Sequence, residues 1–315
     1  MVEDVQTDLK VLFWNIKGSD EGDETSSKRL DNIVEALKGM HQANQFDILV
    51  LAECNGSFMR NRIEIELNMS QSTKTKRTAL LKRPSKIAIF SNLPHDVLDP
   101  SEEIVMPRHS YIPLSINGKR ILLVGVHLRS QYATPQRVIR EDADKIRHQI
   151  FAYVHELNEK SEVEGRPLID GVAVAGDFNM DPHDPGLVET YSFDATMSPM
   201  NLMSLNVNGR RVERFFNPSW TLHGNITKKV LGTFYMASGA NNPIYFHMLD
   251  QVIFTRGVID PFEFDYEFFE IISSYDYNDV NNSLIDRYGR PLSRNYSDHL
   301  PIKFSLTPKR EEQSE

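Results

Sequence analysis

Six short segments of this 315-residue chain share a habit: an apolar run hands over to a polar side chain able to do chemistry. Leu12-Phe13-Trp14 delivers Asn15, Leu49-Val50-Leu51-Ala52 delivers Glu53, and Leu122-Leu123-Val124-Gly125-Val126 delivers His127. Val172-Ala173-Val174-Ala175-Gly176 delivers Asp177, with Asn179 two residues on. Phe246-His247-Met248-Leu249 leads into Asp250, and Tyr296-Ser297 into Asp298-His299. If these segment ends share one rim, four acids, two amides and two histidines converge. Oxygen ligands of this kind hold a hard cation, and an acid beside a histidine can move protons, so the inventory suits metal-assisted phosphoester cleavage. An Asp or Asn after a strand is an ordinary turn residue, and a histidine ending one is commonly structural. The reading therefore rests on six such features in one chain.

Bringing them together requires strands that end on the same side. Short apolar runs predict strands at Leu9–Asn15, Asp47–Glu53, Lys86–Ser91, Tyr111–Ile116, Arg120–His127, Gly171–Asp177, Tyr245–Thr255, Phe268–Ser273 and Leu300–Leu306. Asn117-Gly118 between two of them is a hairpin signal. Ser27–Lys38 carries Leu30, Ile33, Val34 and Leu37 at helical spacing, with Gly39 as its stop. Pro135–Leu157 carries a longer apolar stripe, with Pro135 near its start. Many strands with about two main helices predict two packed mixed sheets with helices outside, an α/β architecture.

Composition sets outer bounds. A hydrophobic fraction of 40% and a charged fraction of 25% are those of a globular protein and exclude collagen and coiled coil. The apolar runs are strand-sized, so no membrane span is expected. The first residues show no secretory signal, and the single cysteine, Cys54, fits a reducing compartment; a cytoplasmic protein is expected. Residues 1–8 and 307–315 are polar and read as frayed ends. The net charge of −9 argues against gripping long duplexes by phosphate neutralisation, but not against a deep acidic metal site.

The ordered set Phe13-Trp14-Asn15-Ile16, Ala52-Glu53, Val126-His127-Leu128, Gly176-Asp177-Phe178-Asn179, Leu249-Asp250-Gln251-Val252-Ile253 and Ser297-Asp298-His299-Leu300-Pro301-Ile302 resembles the endonuclease/exonuclease/phosphatase superfamily. That group includes exonuclease III-like abasic endonucleases, pancreatic-type deoxyribonucleases, sphingomyelinases and inositol polyphosphate 5-phosphatases. The resemblance covers residues 9–306 and implies one catalytic domain there, a four-layer α/β/β/α sandwich. It also implies Mg²⁺, with Mn²⁺ as a substitute, held by Glu53 as principal ligand with Asn15 and Asp298 in support. Asp177 would position or deprotonate the attacking water, and Asn179 would donate to phosphate or fix Asp177. His299 would stabilise the transition state or share the base role, Asp250 would orient His299, and His127 would be a second donor. Arg129, two residues beyond His127, is read as a contact to the substrate phosphate or as an exposed strand-end arginine. Lys17 stands where some nucleases of the group carry an acid.

Nucleic acid, DNA or RNA, is the leading substrate expectation, with a small phosphorylated molecule such as an inositol phosphate or nucleotide as the alternative. A binding protein that kept the fold without activity is the third. Neither a membrane nor an obligate protein partner is indicated. Pro218-Ser219-Trp220-Thr221 matches the inositol phosphatase branch, but Leu222-His223-Gly224 follows where that branch carries Asp-Arg. The dense basic run Lys74-Thr75-Lys76-Arg77, with Lys82 and Arg83, would form a phosphate-tracking lip in a nuclease or else a solvated loop.

Overall fold

In a computed structural model of the chain, residues 8–18, 24–54, 56–71, 85–94, 97–98, 104–130, 134–203, 205–207, 210–228, 230–237 and 245–309 are described. The basic run at 74–83 lies outside them, as do residues 1–7 and 310–315. The elements that matter here are, in chain order, β1 (Leu9–Asn15), α1 (Glu24–Asn44), β2 (Ile48–Ala52), α2 (Ser57–Leu67), β3 (Ile87–Ser91), β4 (His109–Ile116), β5 (Lys119–His127), α3 (Gln136–Glu164), β6 (Gly171–Asp177), β7 (Phe234–Tyr235), β8 (Phe246–His247), β9 (Asp250–Thr255) and β10 (Ile302–Pro308).

Among the described residues two seven-stranded mixed sheets form. The first runs from Phe262–Phe264 through β10, β1, β2 and β3 to Ser70–Gln71, with Glu270–Ile271 also on β10. The second runs from Ile104–Val105 through β4, β5, β6 and β9 to Phe215–Phe216 and Ala195–Thr196. β1 lies parallel to β2, and β5 parallel to β6; β10 and β9 join them antiparallel. Alternate residues face opposite sides of a strand, which sorts the core into three layers. Val11, Phe13, Val50 and Ile89 of the first sheet meet Ile112, Leu123, Ala175 and Val252 of the second. On its outer face the first sheet packs Leu12, Trp14 and Leu49 against Ile33, Val34 and Leu37 of α1 and Ile63 of α2, with Cys54 buried among them. The second packs Leu122, Val124 and Val174 against Ile139, Ile146 and Ile150 of α3. This is the expected α/β/β/α sandwich, and strands covered on both faces explain the near-continuous apolar runs. Among the described residues no helix is long and apolar enough to cross a membrane.

Several boundaries differ from expectation for identifiable reasons. Helix α1 runs through Gly39 to Asn44. A Cβ on Gly39 would lie 2.4 Å from the Asp276 carbonyl oxygen, so the glycine admits the Ser274–Tyr277 strand against the helix and does not stop it. Helix α3 continues to Glu164 and ends at Gly165 in the left-handed region, with φ 66°. The predicted strand Tyr245–Thr255 is two, because β8 leaves the sheet to pair with β7. Phe268–Ser273 shrinks to Glu270–Ile271, and α2 is an additional helix. Thr307 and Pro308 extend β10, and the Thr307 hydroxyl donates to Asp8 at 2.8 Å, so neither residue is frayed. Asn117 and Gly118, at φ 47° and 72°, make the hairpin turn as expected.

Two outcomes test this packing. Gly39→Ala should lower the melting temperature, although alanine is the better helix former by about 1 kcal/mol; a rise would show that the close approach does not hold the glycine there. His109 on β4 is buried beside Tyr111, with neither ring nitrogen hydrogen-bonded among the described residues. Burial, with Lys145 adding, pushes its pKa down to about 4. The folded imidazole stays neutral while the unfolded one protonates, so stability falls as pH drops from about 6.5 to about 4, by at most about 3 kcal/mol. Urea melts of His109→Phe across that window should show a flatter pH dependence than the parent.

Candidate active site

The inward-facing positions that build the inter-sheet core change character at one rim. Phe13 precedes Asn15 by two residues, Ala175 precedes Asp177, and Asp250 precedes Val252, so all three polar residues continue the apolar seam. His127 likewise follows Gly125, where a Cβ would lie 2.7 Å from Ile87 and 2.9 Å from Val50, so the sheets meet closely just below the rim. His127, Asp177 and Asp250 then form one cross-strand row, because His127 pairs with Asp177 and Asp177 with Asp250. Parallel strands contribute their C-terminal ends, and β9 its N-terminal end, to the same side. His299 reaches that side from the loop before β10. The Trp14 indole N–H donates to the His299 carbonyl at 2.9 Å, and the Ser297 hydroxyl donates to the Asn15 carbonyl at 2.6 Å.

Asp177 is the centre. Its Oδ2 accepts from the Asn15 amide at 2.8 Å, and its Oδ1 from the Asn179 backbone N–H at 2.8 Å. His127 Nε2 lies 3.6 Å and His299 Nε2 3.8 Å from Oδ2. The other nitrogen of His299, Nδ1, is 2.8 Å from Asp250 Oδ2, which sets the orientation of the ring. Asn179 also donates from its side chain to the Leu128 carbonyl at 3.0 Å. Lys17, Glu53 and Asn179 all hold left-handed backbone, at φ 47°, 55° and 50°. Each such non-glycine residue costs roughly 1 kcal/mol or more.

Burial and neighbours put the titrating groups in different states. Burial is the largest influence on Asp177 and raises its pKa; Asp250 adds to this, against the pull of His299 and Asn15. Burial pushes His127 well below the usual imidazole range, with Lys86 and His299 acting the same way, so it is neutral. Burial opposes charge on His299 too, but Asp250 and Asp177 outweigh it and hold that imidazole above its usual range. Burial thus disfavours charge on one imidazole beside the buried acid, while neighbouring carboxylates favour it on the other.

Seven of the nine residues singled out in the sequence line one pocket of about 210 Å³: Asn15, Glu53, His127, Asp177, Asn179, Asp298 and His299. Asp250 stands fully buried behind His299. Arg129 is tied to Asp142 of α3 at 2.8 Å and does not line the pocket. Two groups could hold a cation. Oxygen or nitrogen atoms of Asp177, Asp250 and His299 lie within 4.8 Å of one another, but the bond between His299 and Asp250 already engages two of the three. Glu53 and Asp298 present carboxylates to the pocket, and each has an ammonium nearby, Lys86 at 4.0 Å and Lys17 at 2.6 Å. Carboxylates that attract positive charge at the mouth of a polar pocket fit a hard divalent ion better than the hydrogen-bonded trio does.

Sequence reasoning passed over Asp181 and His247. Asp181 Oδ2 lies 2.6 Å from His247 Nδ1, its Oδ1 accepts from the Met248 backbone at 2.7 Å, and His223 Nε2 is 3.7 Å away. His247 also lines the pocket. The available signal was Asp181 standing two residues beyond Asn179, as Asn179 stands two beyond Asp177.

No protein-family model matches the chain, and no curated protein matches it. Solved structures do. A Bacteroides thetaiotaomicron protein of the endonuclease/exonuclease/phosphatase family is 14% identical with a TM-score of 0.57, over 97% of this chain and 99% of that one. TDP2 of D. rerio, complexed with single strand DNA product, is 12% identical at a TM-score of 0.55, over 96% and 99%. Beta toxin of Staphylococcus aureus is 14% identical at 0.51, over 94% and 99%. With two mixed sheets between helix layers and these structural neighbours, the chain has the fold of the endonuclease/exonuclease/phosphatase superfamily.

Proposed function

We propose that this chain is a divalent-metal-dependent phosphodiesterase acting on nucleic acid. The observation that carries the reading is a buried carboxylate, Asp177, fixed through both oxygens and flanked at 3.6 and 3.8 Å by two imidazoles, one of them bound through its other nitrogen to Asp250. Glu53, with Asn15 and Asp298, would hold the metal, which when bound supplies positive charge against the phosphoryl oxygens. A carboxyl raised by burial and anchored by Asn15 and Asn179 is suited to align the attacking water and take its proton. His299, kept cationic by Asp250, would donate from Nε2 to a phosphoryl oxygen as negative charge builds there. His127, neutral, would act as the second donor. Asn179 acts by fixing Asp177 and Leu128, so of its two expected roles the positioning one is favoured. Arg129, paired with Asp142, is left out of this scheme.

The single-strand DNA product bound by the D. rerio neighbour supports nucleic acid as the substrate class. The pocket volume of about 210 Å³ favours a second reading, a small phosphorylated molecule, because it admits a phosphodiester group and little more.

A Mg²⁺ and Mn²⁺ screen with EDTA controls, over single-stranded, duplex and abasic DNA, RNA, bis-p-nitrophenyl phosphate and inositol phosphates, separates the readings. Asp177→Asn should lower kcat on the order of 10³-fold while the chain stays folded by thermal melt; undiminished turnover removes Asp177 from the mechanism. If Asp250 works through His299, Asp250→Asn combined with His299→Gln should be no slower than His299→Gln alone. Additive losses would mean that Asp250 acts by a separate route.

A further inference from the structure

The β7–β8 hairpin separates two spaces. Phe234 pairs with His247, and Tyr235 with Phe246. Side chains alternate along each strand, so the first pair faces one way and the second the other. Phe234 and His247 line the catalytic pocket, whereas Tyr235 and Phe246 line a groove of about 900 Å³ on the opposite side, more than four times the volume of the pocket. A substrate whose phosphodiester fills the smaller space must place its remaining bulk elsewhere, and this groove shares a wall with the site.

The groove is built of ring faces. Tyr235 and Tyr245 stack at 6.3 Å with 20° between planes, and Phe246 meets Tyr235 edge-on at 5.0 Å. The Arg290 guanidinium lies 5.5 Å from the Tyr235 ring and 4.9 Å from the Tyr288 ring. Asp286 holds that guanidinium in place, with its Oδ2 2.7 Å from Nε. Tyr245 and Tyr288 are 50% and 60% exposed, a cluster of aromatic surface that a monomer rarely leaves to water without use. Asp181 braces both spaces at once, through His247 of the pocket and His223 of the groove.

We infer that this groove is a stacking subsite for an unpaired nucleobase next to the scissile phosphate. The inference rests on the nucleic-acid reading above and narrows it to single-stranded substrate. Around the Arg290 guanidinium that lies over them, Tyr235 and Tyr288 leave ring surface lining the groove for a base, and Arg290 faces a phosphate chain with opposite charge. A base inside a duplex has both faces covered and cannot enter without leaving the stack. Binding through ring faces also suits a chain of net charge −9, which is poorly made for tracking a duplex through many phosphate contacts.

The test compares Tyr235→Ala and Tyr288→Ala with Tyr235→Phe and Tyr288→Phe, all outside the catalytic machinery, in the full chain. In an Asp177→Asn background with Mg²⁺, single-stranded oligonucleotides carrying 2-aminopurine or an abasic residue beside the target phosphate are titrated by fluorescence and anisotropy. Stacking quenches 2-aminopurine. The alanine variants should relieve the quench and weaken binding of the base-bearing strand on the order of 10- to 100-fold, leave the abasic strand unchanged, and be rescued by phenylalanine. With Asp177 intact, KM for single strands should rise by the same factor at nearly constant kcat. If the alanine variants keep the parent's ratio of base-bearing to abasic affinity, or the parent cleaves duplex as well as single strand, the subsite is refuted while the nuclease reading stands. Turnover confined to small phosphorylated molecules, with no oligonucleotide bound, refutes both.

Discussion

Two buried acids facing each other across a strand pair set the terms for this molecule. Asp177 and Asp250 occupy one register position and are almost wholly withdrawn from water. Like charges a few ångströms apart repel several times more strongly in a protein interior than in solvent. The repulsion is relieved by a cation between them, since His299 binds Asp250 through Nδ1 and faces Asp177 through Nε2. The surrounding construction keeps that imidazole there: the Trp14 indole clamps its backbone, Ser297 ties its loop to β1, and the Phe234 ring covers it at 4.9 Å. Folding and the pocket share one requirement, because the ring that makes two buried acids tolerable also lines the pocket.

The same economy governs the seam between the sheets. Along β1, β6 and β9 the inward positions are apolar until the rim and polar at it, so the core that stabilises the sandwich also fixes the site. Side chains on paired strands are more accurately placed than on loops, and the tight sheet contact at Gly125 leaves little room below for the row to shift. Three pocket residues from outside the strands, Lys17, Glu53 and Asn179, hold left-handed backbone instead.

Much of this was legible in the chain because strands buried on both faces write continuous apolar runs, and a polar residue ending such a run stands out. Asn15, His127, Asp177 and Asp250 are all of that kind. What stayed hidden depended on contacts distant in sequence. Gly39 carries no mark that a hairpin some 240 residues later will lie against it. Arg129 stands near His127 in the chain, yet its partner is a helix residue, Asp142. Asp181 sits in a segment without periodic pattern and His247 in a run read as one strand with Asp250, and their pairing appears only when β8 turns away from its neighbour β9. Lys17 stands two residues beyond Asn15, yet its ammonium lies 2.6 Å from Asp298, far away in sequence.

The pairing of β1 with β10 joins Phe13 to Ile302, close to opposite ends of the described chain. At ribosomal rates of about 5–20 residues per second, β1 leaves the ribosome tens of seconds before its antiparallel neighbour exists. Until then one edge of that strand has no partner, and Asp177 and Asp250 lack the imidazole that separates them. A nascent chain therefore carries most of the pocket-lining groups without the arrangement that brings them together. The pocket is completed only when β10 joins β1, and this topology leaves it unassembled until nearly all of the described chain has been made.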